Sequence, residues 1–362
     1  MHPVVPRPGI LDIIPYKTGD SAVEGVREVI KLASNENPLG PSPRAIEAYH
    51  GAAQGLERYP EGDSLALRQA LADKHDIDPE HLVCAGGSEQ FFNLVMQAYT
   101  GPGDEVLFTE HAFISYRLAA MAAGATPVTA PESDFTTNID ALLDKTSKRT
   151  RVLCLANPNN PTGTYISYHE VELLRERLPA HILLVLDAAY AEYVEEADYH
   201  PGSELVRASD NNVMMTRTFS KIYALPGLRV GWAHCPQPIA EVLNRVRCAF
   251  NVTTPAQVAA IAALGDDAHV AAGRAHNKKW RNWLTDELTG LGLTVTPSVG
   301  NFLLVHFPGG PEQAAAVDAE TRKNGVILRP VAGYGLPQCL RITIGLEHEN
   351  RKLVDILRNF LR

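Results

Sequence analysis

Three segments of the chain share one pattern: VLCLANPNNPTG at residues 152–163, ILLVLDAAY at residues 182–190 and VMMTRTFSK at residues 213–221. Each begins with an apolar run of strand length and continues directly into polar residues. If the runs are parallel strands, their carboxyl ends lie at one edge of a sheet, which is where ligands bind in such folds. The pattern therefore predicts that an amide, an acid with a phenol, and a lysine with hydroxyls lie together at one edge of the sheet.

Helical and strand-like patterns alternate on both sides of these segments. Residues 88–99 place apolar side chains at positions i, i+3, i+4, i+7 and i+8, which predicts an amphipathic helix. The predicted strands of the middle third are Val152–Ala156, Ile182–Leu186, Val213–Thr216 and Val230–Ala233. This alternation is typical of an α/β domain whose mostly parallel sheet is covered by helices on both faces.

The last third of the chain has a different pattern. Two amphipathic helices, the first ending near Gly290, enclose strand-like runs at Asn301–His306 and Leu340–Ile344. These elements predict a smaller α+β domain after the large one. We expect an arm and the start of the small domain in residues 1–35, the large domain in residues 36–255, and the small domain in residues 256–362.

The composition limits the class of protein. The 362 residues carry 33 Lys and Arg against 42 Asp and Glu, a net charge of −9 without a basic run, which argues against nucleic acid and anionic membranes as partners. Five cysteines lie far apart without a C-x-x-C pair, as in proteins of reducing compartments. The start lacks a signal-peptide pattern, and no apolar run approaches the ~18 residues of a membrane span. We expect a cytoplasmic protein, and no metal site is predicted.

Each polar cluster also has an ordinary structural explanation. Asn, Pro and Gly dominate turns, so NPNNPTG could be a turn and nothing more. Asp187 could cap a helix, and Lys221 could be a solvated surface lysine. What favours a functional site is that the three clusters occur together, each at the end of a predicted strand.

The chain resembles the fold-type I pyridoxal-phosphate (PLP) aminotransferases, and among them the histidinol-phosphate aminotransferases most closely. The matching segments follow the family's order over nearly the whole chain: KLASNENPLGPSP (31–43), RYPEG (58–62), NPNNPTGT (157–164), VLDAAY (185–190), RTFSKIYALPGLRVG (217–231), GNF (300–302) and LRPVAGYGLPQCLRITIG (328–345). The sequence departs from the family at Ala188, where an acid is usual, and at Pro226, where Ala or Gly is usual. Neither departure removes a catalytic group, although both lie close to the site.

The resemblance implies PLP as the cofactor and gives four residues roles at its ring. Lys221 matches the lysine that forms the Schiff base and shuttles the substrate proton, which requires a partly neutral amine. Asp187 matches the acid that keeps the pyridine nitrogen protonated, so that the ring can act as an electron sink. Asn160 and Tyr190 match the pair that hydrogen-bonds the ring's 3-hydroxyl oxygen.

The resemblance also implies an anion site for the cofactor phosphate. Gly87, Ser88 and Glu89 open the helix predicted over residues 88–99, so their backbone N–H groups and the helix dipole can face the phosphate. We expect the Glu89 backbone, not its carboxylate, to face the anion. Phe113 falls where a tyrosine often stacks on the ring, and only the stacking role is carried over. The remaining predicted phosphate ligands are Thr218, Ser220 and Arg229.

Substrate recognition is implied for Tyr16, Tyr59, Arg329 and Arg341. Arg341 matches the arginine that binds the carboxylate of the keto acid and the phosphate group of histidinol phosphate. Arg329 would provide a second guanidinium group. In the family, the tyrosine at the position of Tyr59 reaches the neighbouring subunit's site, which implies a homodimer. The alternative role for Arg329 is a surface ion pair, and the alternative role for Tyr16 is to anchor the N-terminal arm. Asn37 is expected to make a turn or a domain-closure contact.

These observations predict a cytoplasmic, homodimeric PLP aminotransferase that exchanges an amino group between L-histidinol phosphate and 2-oxoglutarate. An aromatic aminotransferase acting on phenylalanine or tyrosine is the nearest alternative, because that subgroup shares most of the matching segments. A lyase that decarboxylates an amino acid phosphate on the same fold is a weaker one. A ligand-sensing protein with an aminotransferase-like domain is least favoured, since such regulators carry a basic helix-turn-helix extension that this chain lacks.

Overall fold

A computed structural model of the chain describes residues 4–15, 19–26, 28–209 and 212–361. Over these residues the strands, β1 to β13 in chain order, are Ile30–Lys31, Leu82–Ala85, Glu105–Thr109, Thr126–Ala130, Thr150–Ala156, Leu183–Asp187, Val213–Thr218, Gly231–His234, Thr294–Val295, Phe302–His306, Val326–Ile327, Arg329–Pro330 and Cys339–Thr343. The α-helices, α1 to α12, are Pro43–Ala52, Leu65–His75, Ser88–Tyr99, Ser115–Ala123, Ile139–Asp144, Tyr168–Arg177, Ser203–Arg207, Gln237–Val246, Thr254–Leu264, Asp267–Gly290, Gly310–Lys323 and Glu347–Phe360.

A seven-stranded sheet in the order β2-β8-β7-β6-β5-β3-β4 forms the centre of the large domain. The strands pair in parallel, except that β8 is antiparallel to both β2 and β7. Along β5, Leu153 and Leu155 pack into one core, whereas Val152 and Cys154 pack into the core on the other face. Helices therefore cover both faces, and the predicted α/β class with a mostly parallel sheet is confirmed.

The small domain is built around the antiparallel sheet β12-β13-β10-β9. Helices α10, α11 and α12 contribute buried side chains to its core, including Trp280, Val317 and Leu353. Strand β1 pairs in parallel with β11, so the beginning of the described chain joins the small domain. The predicted smaller α+β domain is thereby confirmed.

The position of the domain boundary stays a proposal. Helix α9 (Thr254–Leu264) buries Ala256, Ala260 and Ala263 in the core beside the large sheet, although the expected division at residue 255 assigns this helix to the small domain. We propose that the boundary lies after Leu264, where α10 begins at Asp267. Among the described residues, no helix has the length and apolar content that a membrane crossing requires.

Candidate active site

The carboxyl ends of β5, β6 and β7 meet at one edge of the large sheet, beneath the small domain. Asn160 follows β5, Asp187 is the last residue of β6, and Lys221 lies three residues beyond β7. A cavity of about 140 Å³ opens at this edge. Its lining consists of Gly19, Ala33, Ser34, Asn35, Phe113, Asn160, Lys221, Arg329, Tyr334 and Arg341.

The Lys221 amine is half-buried at the floor of this cavity. Burial and the nearby positive charge of Arg341 lower the pKa of Lys221 to about 7. Nζ donates a hydrogen bond to the Ser34 carbonyl oxygen at 3.3 Å and lies 5.5 Å from the centre of the Tyr190 ring. Near neutral pH a substantial fraction of the amine is therefore unprotonated, as proton transfer requires.

Asp187 is buried beside Lys221 and accepts two side-chain hydrogen bonds. The Tyr116 hydroxyl donates to Oδ2 at 2.7 Å, and the Thr216 hydroxyl donates to Oδ1 at 3.4 Å. Burial raises the pKa of Asp187 to about 6, and the bond from Tyr116 opposes this rise. A buried carboxylate with two neutral donors is suited to a positively charged ligand atom.

Tyr190 and Asn160 are each held by a buried neighbour. The Asn35 amide donates to the Tyr190 hydroxyl oxygen at 2.9 Å. Arg341 donates from Nη1 to Asn160 Oδ1 at 2.5 Å and from Nη2 to the Ala33 carbonyl at 2.7 Å. Because Arg341 already donates to the Asn160 oxygen, the Asn160 NH₂ group is available to donate to a ligand.

An anion-binding arrangement lies at the N-terminus of α3. Gly87 precedes the helix with φ at 92°, and a Cβ there would lie 2.5 Å from Nη2 of Arg229. Arg229 donates to the Ser220 hydroxyl at 3.2 Å, and the Ser220 N–H donates to the Thr218 hydroxyl at 3.1 Å. Free helix N–H groups, two hydroxyls and a guanidinium thus converge, a combination suited to a phosphate.

The Glu89 side chain, in the first turn of α3, is bound by another part of the large domain. Ser88 is the first helical residue, and the Glu89 carboxylate accepts a hydrogen bond from the Ser115 hydroxyl at 2.6 Å. The Glu89 side chain is therefore engaged by a neighbouring helix.

The two predicted substrate arginines face one another across neighbouring strands. The antiparallel register of β12 and β13 pairs Arg329 directly with Arg341, and both line the cavity that contains Lys221. Like charges at directly opposite positions repel one another unless an anion lies between them. The arrangement is suited to a ligand with a phosphate or a carboxylate.

Three predicted site residues differ in how they relate to the cavity. Phe113 lines it and packs edge-on against Tyr116, with ring centres 5.9 Å apart. Tyr59 is 82% exposed, stacks on Phe250 with ring centres 4.7 Å apart, and borders a separate cavity of about 790 Å³ that Arg229 also lines. Tyr16 lies outside the described residues.

The structure adds residues that sequence reasoning missed. Ser34 and Asn35 contact Lys221 and Tyr190, and Tyr116 contacts Asp187. Ser34 contributes a main-chain oxygen, so its residue type gives no signal. For Tyr116 a weak signal existed, because it follows the predicted ring-stacking residue by three positions.

Comparisons with known proteins agree on one family. The sequence model of the family "Aminotransferase class I and II" matches residues 27–357. A histidinol-phosphate aminotransferase of Rhodopseudomonas palustris (strain BisB18) is 52% identical over 99% of this chain and 98% of its own length. One of Paramagnetospirillum magneticum is 52% identical over 98% of each chain. The crystal structure of a histidinol-phosphate aminotransferase from Sinorhizobium meliloti, in complex with pyridoxal-5'-phosphate, is 26% identical with a TM-score of 0.92 and covers 98% of this chain and 97% of that one.

Proposed function

The chain belongs to the class I and II aminotransferase family, and from this premise we propose that it transfers the amino group of L-histidinol phosphate to 2-oxoglutarate, with PLP as cofactor, in histidine biosynthesis. The observation that carries the choice of substrate is the cross-strand pair Arg329 and Arg341 beside Lys221. Histidinol phosphate brings a phosphate to this pair, and 2-oxoglutarate brings a carboxylate. A planar guanidinium can bind either anion through two hydrogen bonds.

The residues at the sheet edge fit PLP. Within the described part of the chain no cation hydrogen-bonds the buried Asp187 carboxylate, and a protonated pyridine nitrogen would supply that charge. The glycine at position 87 leaves room for Arg229 at the N-terminus of α3, where the cofactor phosphate would lie. Tyr190 and Asn160 offer donors to the oxygen on the ring.

PLP, when bound, withdraws electrons from the substrate's α-carbon so that this carbon can lose a proton. In our proposal, the neutral Lys221 amine takes that proton at Nζ and later returns it, which its pKa of about 7 favours. Asp187 keeps the ring nitrogen protonated, while Arg341 and Arg329 orient the substrate through its anionic group. Phe113 covers one face of the ring and excludes water there.

We also propose that the enzyme is a cytoplasmic homodimer. Several large apolar side chains are exposed on one chain around α1 and the segment that follows it: Ile46, Tyr49, Leu56, Tyr59, Leu65 and Phe250. Covering such a patch with a second copy removes apolar area from water. All five cysteines are free thiols, four of them buried, as expected in a reducing compartment.

The test is a survey of single half-reactions. The absorbance of the PLP-loaded protein would be followed after addition of L-histidinol phosphate, histidinol, phenylalanine, tyrosine or aspartate. We expect the fastest change with histidinol phosphate and a large loss with histidinol, because histidinol lacks the phosphate. If phenylalanine reacts faster and the phosphate makes no difference, the enzyme is an aromatic aminotransferase, and the histidine-pathway assignment is wrong.

A further inference from the structure

Asn35 is a buried residue whose polar groups are all engaged by other parts of the fold. Its Nδ2 donates to the Tyr190 hydroxyl at 2.9 Å, and its Oδ1 accepts from the Thr343 hydroxyl at 3.2 Å. Its backbone N–H donates to the same Thr343 oxygen at 2.9 Å, and its carbonyl accepts from Asn301 Nδ2 at 2.9 Å. Tyr190 of the large domain and Thr343 of strand β13 in the small domain thus fix the side chain, and Asn301, just before β10, binds the Asn35 main chain.

The backbone of Asn35 is in the left-handed region, with φ at 54°. Asparagine is one of the few residues other than glycine that tolerates this conformation. Aspartate at this position would keep the packing volume nearly unchanged but would alter the polar contacts. The residue type therefore serves both the loop conformation and the bond to Tyr190.

The direction of each hydrogen bond follows from the inventory of donors. The Thr343 oxygen accepts from the Asn35 backbone, so its own proton is available for Asn35 Oδ1. This leaves the amide NH₂ group facing Tyr190. A phenol has a single proton, and a phenol oxygen that already accepts from an amide must direct that proton to some other acceptor.

We propose that Asn35 is a positioning residue that reserves the single proton of Tyr190 for the oxygen on the cofactor ring. The proposal rests on the proposed function, because it assumes PLP at this site. Thr343 holds the amide in the donating orientation, so strand β13 of the small domain contributes to the charge distribution on the cofactor. The titratable and charged groups around Tyr190 are Tyr116, Asp187, Tyr193, Lys221, Tyr334 and Arg341.

The test measures the pH at which the absorbance of bound PLP changes, together with the affinity for PLP. Asn35→Asp keeps the shape of the side chain but presents a charged acceptor, so Tyr190 donates to it and the cofactor oxygen loses one of its two donors. More negative charge then remains on that oxygen, so the proton on the neighbouring Lys221 nitrogen is held more tightly. We expect the transition to move upward by about one pH unit and PLP to bind about tenfold more weakly. Because the added charge alone would also raise the pH of the transition, the neutral variant Thr343→Val described next has to show the same direction of change.

Thr343→Val gives a second variant of nearly the same volume. It removes the hydroxyl that orients the amide, and we expect an upward shift of about half a pH unit. Asn37→Ala is the matched control, because Asn37 lies in the same loop but donates to the Ile222 carbonyl at 2.8 Å instead of to Tyr190. We expect no shift of the transition for this control, even if the protein melts at a lower temperature.

Tyr190→Phe separates the two proposals. If it shifts the transition while Asn35→Asp and Thr343→Val do not, Asn35 has no role in directing the proton and only the present proposal is wrong. If the protein does not bind PLP, both proposals fail. If it binds PLP but Tyr190→Phe leaves the transition unchanged, Tyr190 gives no proton to the ring oxygen, and only the present proposal is wrong.

Discussion

Arg341 and Arg329 occupy opposite positions on two paired strands, and this register explains how two arginines can serve one ligand. Arg341 is almost fully buried, and its Nε has no hydrogen-bond partner among the residues that the structure describes. A buried N–H without a partner destabilises the protein unless a ligand or water supplies an acceptor. The placement of the Arg341 guanidinium therefore favours ligand binding at the expense of the stability of the protein.

Arg341→Gln removes the charge but keeps some hydrogen bonding. We expect kcat/KM to fall by about 30- to 1000-fold, or about 2–4 kcal/mol, for histidinol phosphate and 2-oxoglutarate alike. Arg329→Gln should lower it less. Steady-state kinetics with both substrates provide the measurement, and Arg245→Gln on the exposed face of α8 serves as the control. An unchanged kcat/KM in Arg341→Gln would exclude this residue from substrate binding.

The hydroxyl of Tyr116 controls the charge of Asp187. Its hydrogen bond favours the ionised carboxylate, so Tyr116→Phe should raise the Asp187 pKa further above its present value of about 6. Below that pKa the acid is neutral and loses its attraction for a protonated ring nitrogen. We therefore expect PLP affinity, measured against pH, to begin its acidic decline about one pH unit higher in the variant. Phe92→Leu changes the packing beside the Tyr116 ring without removing the hydroxyl, and it should leave the midpoint of this decline unchanged.

Among the secondary-structure elements, those with a strong local pattern were predictable. The helix predicted over residues 88–99 is α3 with the same bounds, and the strands predicted in the middle third begin and end within about two residues of those observed. The orientation of β8 was not predictable from its apolar run. It follows from the connection over residues 219–230, which contains no crossover helix and so returns the chain antiparallel to β7.

The site was predictable where a residue type carries the chemistry. Asn160, Asp187 and Lys221 were predicted to lie at one edge of the sheet because they are polar residues at strand ends, and the structure brings them together there. Asn35 was not found, because its contact with Tyr190 depends on a left-handed backbone and on a strand that is distant in the sequence. Local patterns contain no information about such long-range contacts.

Strand β8 approaches the N-terminus of α3 closely because it begins with a glycine. A Cβ on Gly231 would lie 2.5 Å from the Ser88 nitrogen and 2.9 Å from the Arg217 carbonyl oxygen, and neither main-chain atom can move independently of its element. Gly231→Ala should therefore lower the free energy of unfolding by about 1–3 kcal/mol and weaken PLP binding. Urea unfolding and a PLP titration measure the two effects.

Gly290→Ala is the control for this change, because a Cβ at the end of α10 meets no atom within 4 Å. We expect it to leave PLP affinity unchanged. Equal PLP affinity in Gly231→Ala and the native protein would mean that the spacing of β8 and α3 does not matter for the anion site.

At the scale of the whole molecule, Tyr59 tests whether the two sites of the proposed homodimer share residues. This side chain is exposed in one chain and borders a cavity that Arg229 also lines. If Tyr59 acts in the neighbouring site, a mixed dimer of Lys221→Ala and Tyr59→Ala protomers contains one intact site. A 1:1 mixture with free subunit exchange should then recover about a quarter of the native activity.

The control for this mixture is each variant incubated alone, and subunit exchange is verified with differently tagged chains. Activity that stays at the level of the separate variants, despite proven exchange, would place Tyr59 in the site of its own subunit.

The contacts of residues 33–35 also have a consequence for the time course of protein synthesis. Ala33 and Asn35 bind Arg341 and Thr343, partners that follow 308 positions later in the chain. At about 5–20 residues per second, a ribosome adds those residues about 15–60 s after the first segment. During that interval the left-handed loop has none of these partners, so nothing in β13 yet holds Asn35 against Tyr190. A chain interrupted before β13 would lack both Arg341 and Thr343, and residues 33–35 would remain without these contacts.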